Sequence, residues 1–157
     1  MCIRDSTHAE EHTIFLWENK ELDISTQKAF KKAAVRPFKL PQTLFALLDT
    51  IKPGNGKILL KQFHETIAST EVEMVFFMLI RQFRMLLALS SPGTESEIDE
   101  VKKLTWQRSK MEKQASLFEE EHLLDLYTIL FAIEKGQKTG TLSAPLTTTI
   151  DFFLLEI

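Results

Sequence analysis

The sequence predicts a mainly α fold: a helical bundle over residues 41–157, preceded over residues 13–40 by a short α/β remnant of a truncated upstream domain. Three observations carry that expectation. Residues 71–90 place Val72, Val75, Phe76, Leu79, Ile80, Phe83, Leu86 and Leu87 at i, i+3, i+4 and i+7, the spacing of one helix face. Met74, Phe77 and Met78 lie off that stripe and are apolar too, and the polar breaks are Glu73, Arg81, Gln82 and Arg84. A helix apolar nearly all round packs against several partners, so this is the expected central helix. Second, amphipathic segments follow one another from Pro41 onward with short connections, as in a bundle. Third, the residues before Leu40 and Pro41 read differently, with short β-branched and aromatic runs around one small helix.

A membrane span is the rival reading of 71–90. It fails because the unbroken apolar run covers only 74–80, and Arg81 and Arg84 would sit near the bilayer centre.

Taken in order, residues 1–12 are expected to be disordered or artefactual. Met1-Cys2-Ile3-Arg4-Asp5-Ser6 resembles translated sequencing-adapter read-through, and nothing up to residue 12 forms an apolar period. Residues 13–17 form a strand candidate. Ser25 is placed to cap a short helix over 26–33 anchored by Phe30, and 35–38 is a second extended segment whose Pro37 suits an edge. Two short strands and one helix are too little for an independent domain.

The next helix opens at Pro41 or Gln42 and carries Leu44, Phe45, Leu47, Leu48 and Ile51. Pro53 and Gly54 end it, and Asn55 is expected to cap a helix with Ile58, Leu59, Phe63 and Ile67. After the central helix comes a break at 91–94, then a charged stretch at 95–103. A mostly polar helix over 106–116 turns Met111 and Ala115 inward. A further helix over 119–135 carries Leu123, Leu126, Tyr127, Leu130, Phe131 and Ile133. Residues 136–145 connect it to a last helix with Ile150, Phe153, Leu154 and Ile157.

The formal net charge of −3 excludes the basic excess of an autonomous nucleic-acid binder, and no polybasic run addresses a membrane surface. The one cysteine, Cys2, excludes a disulfide frame and a cysteine metal site, which fits a reducing cytoplasm. No catalytic group stands out, and no cofactor is expected. His8-Ala9-Glu10-Glu11-His12 fits the H-x-x-E-H zinc pattern but lacks a third ligand; a solvated stretch is the simpler reading. Ser25 to Lys28 fits S-x-x-K and Lys138-Thr139-Gly140 fits K-T-G, yet S-D-N is absent, and an N-cap and a helix cap explain them. Gly54-Asn55-Gly56-Lys57 is too short for a phosphate loop, and Ile58 stands where the metal-binding hydroxyl would be; it reads as a helix–helix turn. His64 and His122 stand alone on amphipathic helices. Arg81 and Arg84 read as a solvated face that can reach phosphates only secondarily.

A series of local patterns then falls in one order. Ile14-Phe15-Leu16-Trp17-Glu18 is similar to a V-F-x-E strand, and Leu44-Phe45-Ala46-Leu47-Leu48-Asp49 to F-A-L-L-D-A. Ile80-Arg81-Gln82-Phe83-Arg84-Met85-Leu86-Leu87 is similar to A-R-Q-x-R-x-L-L, and Trp106 to Lys110 takes the place of H-P-[FW]-x-x-[KR]. Ile133 to Gly140 is similar to A-D-x-x-I-K-T-G, and Phe152-Phe153-Leu154-Leu155-Glu156 to a terminal L-L-L-E-L. In that order they resemble the C-terminal region of the bacterial DNA polymerase III delta subunit family, the clamp-loader subunit that opens the sliding clamp. The resemblance spans 15–157, with two departures. The helical segment usual before the final domain is shortened, and the family's front part, with its clamp-binding element, has no counterpart.

The resemblance implies that 41–157 is a helical collar, a non-catalytic oligomerisation module that joins other clamp-loader subunits in loading the sliding clamp onto primed DNA. It implies contact with the clamp through a missing N-terminal region, and with DNA only indirectly or weakly. The expected subunit interface is Phe77, Phe152 and Phe153, where large apolar side chains exceed what a bundle of this size buries. Weak phosphate contacts are expected of Arg81, Arg84, Lys135 and Lys138. No membrane partner is expected, and the location implied is cytoplasmic. The alternative is an unrelated all-α adaptor or regulatory domain.

Overall fold

The structure, a computed structural model, describes residues 15–18, 21–30, 33–36, 41–91, 101 and 107–157. The described residues are mainly helical, with seven helices and no strand. The chain divides into two compact units, Met1–Lys39 and Leu40–Ile157.

The first unit contains α1, Ile24–Ala29. Its cap is Asp23 rather than Ser25. The Asp23 carboxylate accepts the Thr26 N–H at 2.7 Å and the Ser25 hydroxyl at 2.6 Å, so Ser25 supports the cap from inside the helix. α1 ends before the expected residue 33 and buries none of its residues; Phe30 is exposed and anchors nothing. Phe15, Leu16 and Trp17 form no strand and are exposed. An extended run becomes a strand only where another chain segment takes its backbone N–H and C=O groups, and no described segment here does so. The rest of the second extended segment, Pro37 and Phe38, and the whole H-x-x-E-H motif lie outside the described residues.

The second unit is the helical bundle. α2 spans Gln42–Thr50, α3 Gly56–Ile67, α4 Val72–Ser90, α5 Arg108–Ala115, α6 Glu120–Thr139 and α7 Leu146–Glu156. α4 packs against all five other helices of the unit, which is why it is apolar on nearly every side. Its stripe runs inward through Val75, Phe76, Leu79, Phe83 and Leu86, and Met78 is buried beside it. A single core gathers these with Leu44, Leu47, Leu59, Phe63, Leu123, Leu126, Leu130, Ile150, Phe153 and Leu154. The Phe83 and Phe153 rings meet edge to face, 5.4 Å between centroids.

Three helical residues expected inward face outward. Phe45, Ile58 and Phe131 each sit beside, not on, the buried stripe of their own helix. α6 also runs to Thr139, beyond the expected residue 135. It stops at Gly140, whose φ of 68° is the left-handed conformation that glycine adopts without strain. The Thr141 N–H returns to the Gly136 carbonyl and the Gly140 N–H to that of Gln137, the paired bonds of a Schellman turn. Of the charged stretch 95–103, Val101 alone is described; it is helical and buried.

Of the buried polar residues, Gln82, Gln114 and Asn55 are linked at the end of α2, while Thr66 donates to the Gln62 carbonyl of its own helix. Gln82, on α4, donates its amide to Gln114 Oε1 at 2.7 Å. Gln114, on α5, donates in turn to the Leu48 and Ile51 carbonyls, both at 2.8 Å. Those carbonyls belong to the C-terminal end of α2, where Leu48 receives only the Ile51 N–H at 3.4 Å from the backbone and the helix leaves its last carbonyls short of partners. Asn55 completes the arrangement. Its carbonyl starts α3, accepting the Ile58 and Leu59 N–H groups, but its side chain turns back to donate to the Thr50 carbonyl at 2.9 Å. The expected side-chain cap of α3 is therefore a cap of α2.

Candidate functional site

The surface residues expected to form an interface separate into two kinds. Phe77 on α4 is 59% exposed and Phe152 on α7 is 67% exposed. Phe153 is 2% exposed and packs on Phe83 in the core, which removes it from any surface role. The register of α7 makes the difference. Ile150, Phe153, Leu154 and Ile157 all turn inward against α3, α4 and α6, so the adjacent Phe152 turns out. Leu155 lies on the same outward side as Phe152, one turn along. On α4, Met74 and Phe77 follow at i and i+3, with Arg81 a turn further on.

Arg81 and Arg84 are half-buried midway along α4. Lys135 and Lys138 are exposed in the last turns of α6, where Lys138 pairs with Glu134 at 2.6 Å. Phosphate contact by Lys138 would have to compete with that pair.

The described residues of the second unit line two clefts of note. One, of about 430 Å³, lies between the end of α2 and α5 and is lined by Asp49, Lys52, Asn55, Lys110 and Gln114 among others. Several of its polar groups are engaged: Lys110 pairs with Asp49 at 2.5 Å, and Asn55 and Gln114 are held by backbone carbonyls. The other, about 530 Å³, lies at the α3–α4 turn beside Thr147. Neither gathers the convergent polar groups of a ligand site.

His64 has a carboxylate neighbour that the sequence did not reveal. Its Nε2 lies 2.9 Å from Asp151 Oδ1 across the seam between α3 and α7, an ion pair when the ring is protonated. His122 stacks on Phe118, ring centroids 6.2 Å apart. Among the described residues no group of three or more His, Cys, Asp or Glu side chains is placed to hold a metal ion. No helix among them is long and apolar enough to cross a membrane. The K-T-G sequence closes α6, with Lys138 and Thr139 in its last turn and Gly140 as its stop.

The turn 54–57 is built for helix packing. The Gly54 N–H donates to the Ile157 carbonyl at 2.9 Å. A side chain at Gly56 would place its Cβ 2.7 Å from the Leu154 carbonyl oxygen, so the start of α3 rests directly on the backbone of α7.

Among the described residues, the features that point outward are thus apolar helix faces rather than a reactive cluster. Two of them were missed in the sequence. Leu124 on α6 drew no attention, and Phe131 was placed inside; both are exposed. The signal available was their i, i+7 relation on the side of α6 opposite Leu123, Leu126, Leu130 and Ile133. No family model matches the chain, and no match was found among the curated proteins or among the solved structures.

Proposed function

We propose that the chain is a non-catalytic interaction module, the helical collar of a clamp-loader subunit of the DNA polymerase III delta type, acting in the cytoplasm. The observation that carries this reading is the pair of exposed aromatic rings, Phe77 and Phe152, on helices whose opposite faces are closed in one core. Large exposed apolar side chains on ordered helices are the usual mark of a protein contact. The order of short patterns resembling that family supports the more specific part. The F-A-L-L-D-like pattern lies on α2, the A-R-Q-x-R-x-L-L-like pattern on α4, the K-T-G pattern at the end of α6 and the terminal leucine-rich pattern on α7.

On this reading the partners are sibling loader subunits. Contact with the sliding clamp belongs to an upstream region, and contact with DNA is weak. A chain of net charge −3 supplies no broad positive field, so Arg81, Arg84 and Lys135 add local phosphate contacts at most.

The test is a pull-down of purified loader subunits by the full chain, with Phe77→Glu and Phe152→Glu variants checked for folding by circular dichroism. The wild type is expected to bind, and each variant to lose about tenfold or more, the scale of a buried aromatic anchor. ATPase activity is expected to be absent. Undiminished binding by both folded variants would take these faces out of the interface. No binding by the folded wild type would sink the clamp-loader assignment and leave the adaptor reading.

A further inference from the structure

The outward face of α6 carries a pattern that runs from acid to base. Glu120 and Glu121 stand at its start, Leu124 and Phe131 in its middle, and Lys135 and Lys138 at its end. Leu124 is 52% exposed and Phe131 59% exposed, with Thr128 exposed and Tyr127 half-buried between them. This face lies opposite the core stripe, and no described helix of the unit buries those two side chains. Two charges of the face are already engaged within the chain: Ser91 donates to Glu120, and Lys138 pairs with Glu134. Glu121 and Lys135 remain as the exposed charges flanking the apolar pair.

The pattern is symmetric about its own centre. Leu124 and Phe131 are equally far from the midpoint between Tyr127 and Thr128, and Glu121 and Lys135 bracket them on either side. A helix with this arrangement is complementary to itself turned end for end. Leu124 then meets Phe131 of the other helix, and each acidic start meets the other's basic end. That is the requirement of an isologous two-fold interface, with apolar residues at the seam and opposite charges beside it, as in antiparallel helix pairs.

We infer that α6 is a self-association surface, with a second copy of this chain seated antiparallel on the Leu124–Phe131 face. The inference uses a different surface from Phe77 and Phe152 and does not depend on the clamp-loader reading. A 20-residue helix is about 30 Å long. One such pair buries less than the roughly 1,600 Å² of a standard interface, which places it among weak, transient contacts.

Sedimentation of the full chain from about 10 μM to 1 mM tests this, that range bracketing the affinity expected of a small interface. The wild type is expected to pass from monomer to dimer across it. Phe131→Glu should weaken association about tenfold or more. The charge pattern gives the sharper test. Glu121→Lys alone and Lys135→Glu alone should each weaken self-association, because each places like charges together at both ends of the pair. An equimolar mixture of the two single variants should associate more tightly than either alone, since opposite charges then meet at both ends. The double variant Glu121→Lys/Lys135→Glu should recover the wild-type affinity. A loss of folding cannot produce recovery in the mixture. A wild type that stays monomeric throughout, including one whose face is covered by another segment of its own chain, would overturn the proposal. A dimer indifferent to Phe131→Glu, or a mixture no tighter than its components, would overturn it too.

Discussion

Gln114 is the residue on which most of the buried polar structure depends. Its amide group joins α5 to α4 through Gln82 and to the end of α2 through the Leu48 and Ile51 carbonyls. Gln114→Met keeps the volume and removes both donors, leaving the buried Ile51 carbonyl without its side-chain partner, the Leu48 carbonyl with only the long Ile51 N–H contact and the Gln82 amide with only the Met111 sulfur. A loss of about 2–4 kcal/mol is expected in a denaturant titration, since each buried unsatisfied group costs about 1–3 kcal/mol. A loss below about 1 kcal/mol would show that these groups find water instead. Asp23 shows the same economy on the surface. The Ser25 hydroxyl, then the Thr26 N–H, hold its carboxyl at about 2, below the usual 3.8. A lowered carboxyl pKa stabilises the folded form above the unfolded value, so the cap of α1 is fully present above pH 4 and is lost as pH falls from about 4 towards 2. Proton titration of Asp23 by NMR should find its midpoint near 2, and Ser25→Ala should move that midpoint up. An unmoved midpoint in Ser25→Ala would remove the hydroxyl as the main cause. Neither residue's role was legible in the sequence. Gln82 reads there as an interruption in an apolar helix, because its partner lies 32 positions away. Ser25 reads as a cap because the choice between it and Asp23 turns on a backbone angle.

At the level of elements, periodicity carried what it could. The central helix was expected over 71–90 and spans Val72–Ser90, and the inward residues of α7 are those its spacing named. That same stripe includes Phe153, so its proposed place at an interface conflicted with its own periodicity. The failures at Phe45, Ile58 and Phe131 share a cause. Each lies within one residue of a buried position, and hydrophobicity alone does not say which edge of an apolar stripe a neighbouring helix will cover. Close backbone approach is likewise invisible in a sequence, and Gly56 is the example. In an isolated helix, Gly56→Ala would gain about 1 kcal/mol from helix propensity. Here the new methyl would meet the Leu154 carbonyl at 2.7 Å, a fixed backbone atom. The variant is expected to lose about 1–3 kcal/mol, the usual cost of overpacking. A Gly56→Ala protein as stable as wild type would mean that α3 and α7 can part without loss.

For the whole molecule, every buried apolar side chain of the described residues lies between Leu44 and Ile157. Among the described residues the core of the second unit takes none from the first, and a fragment of residues 40–157 is expected to unfold cooperatively. Its melting temperature should lie within a few degrees of the full chain's, since a shift of about 4–8 °C would already mean a lost kcal/mol in a small domain. A fragment that melts without a cooperative transition would show that the bundle needs the first 39 residues.

The edge-to-face contact of Phe83 with Phe153 has a consequence for synthesis. The two rings are separated by about 70 residues of chain, so α4 leaves the ribosome long before the ring that covers it. At about 5–20 residues per second the interval is roughly 4–14 s. Until α7 emerges, the nascent chain carries a central helix whose Phe83 lacks its cover, and chaperones that recognise exposed leucine and phenylalanine have the opportunity to bind it. Ribosome-arrested chains presenting residues up to 145 are expected to be cut readily by protease and to retain chaperone. Chains presenting α7 as well should resist both. Equal resistance in the two would mean that the first helices close a stable core without α7.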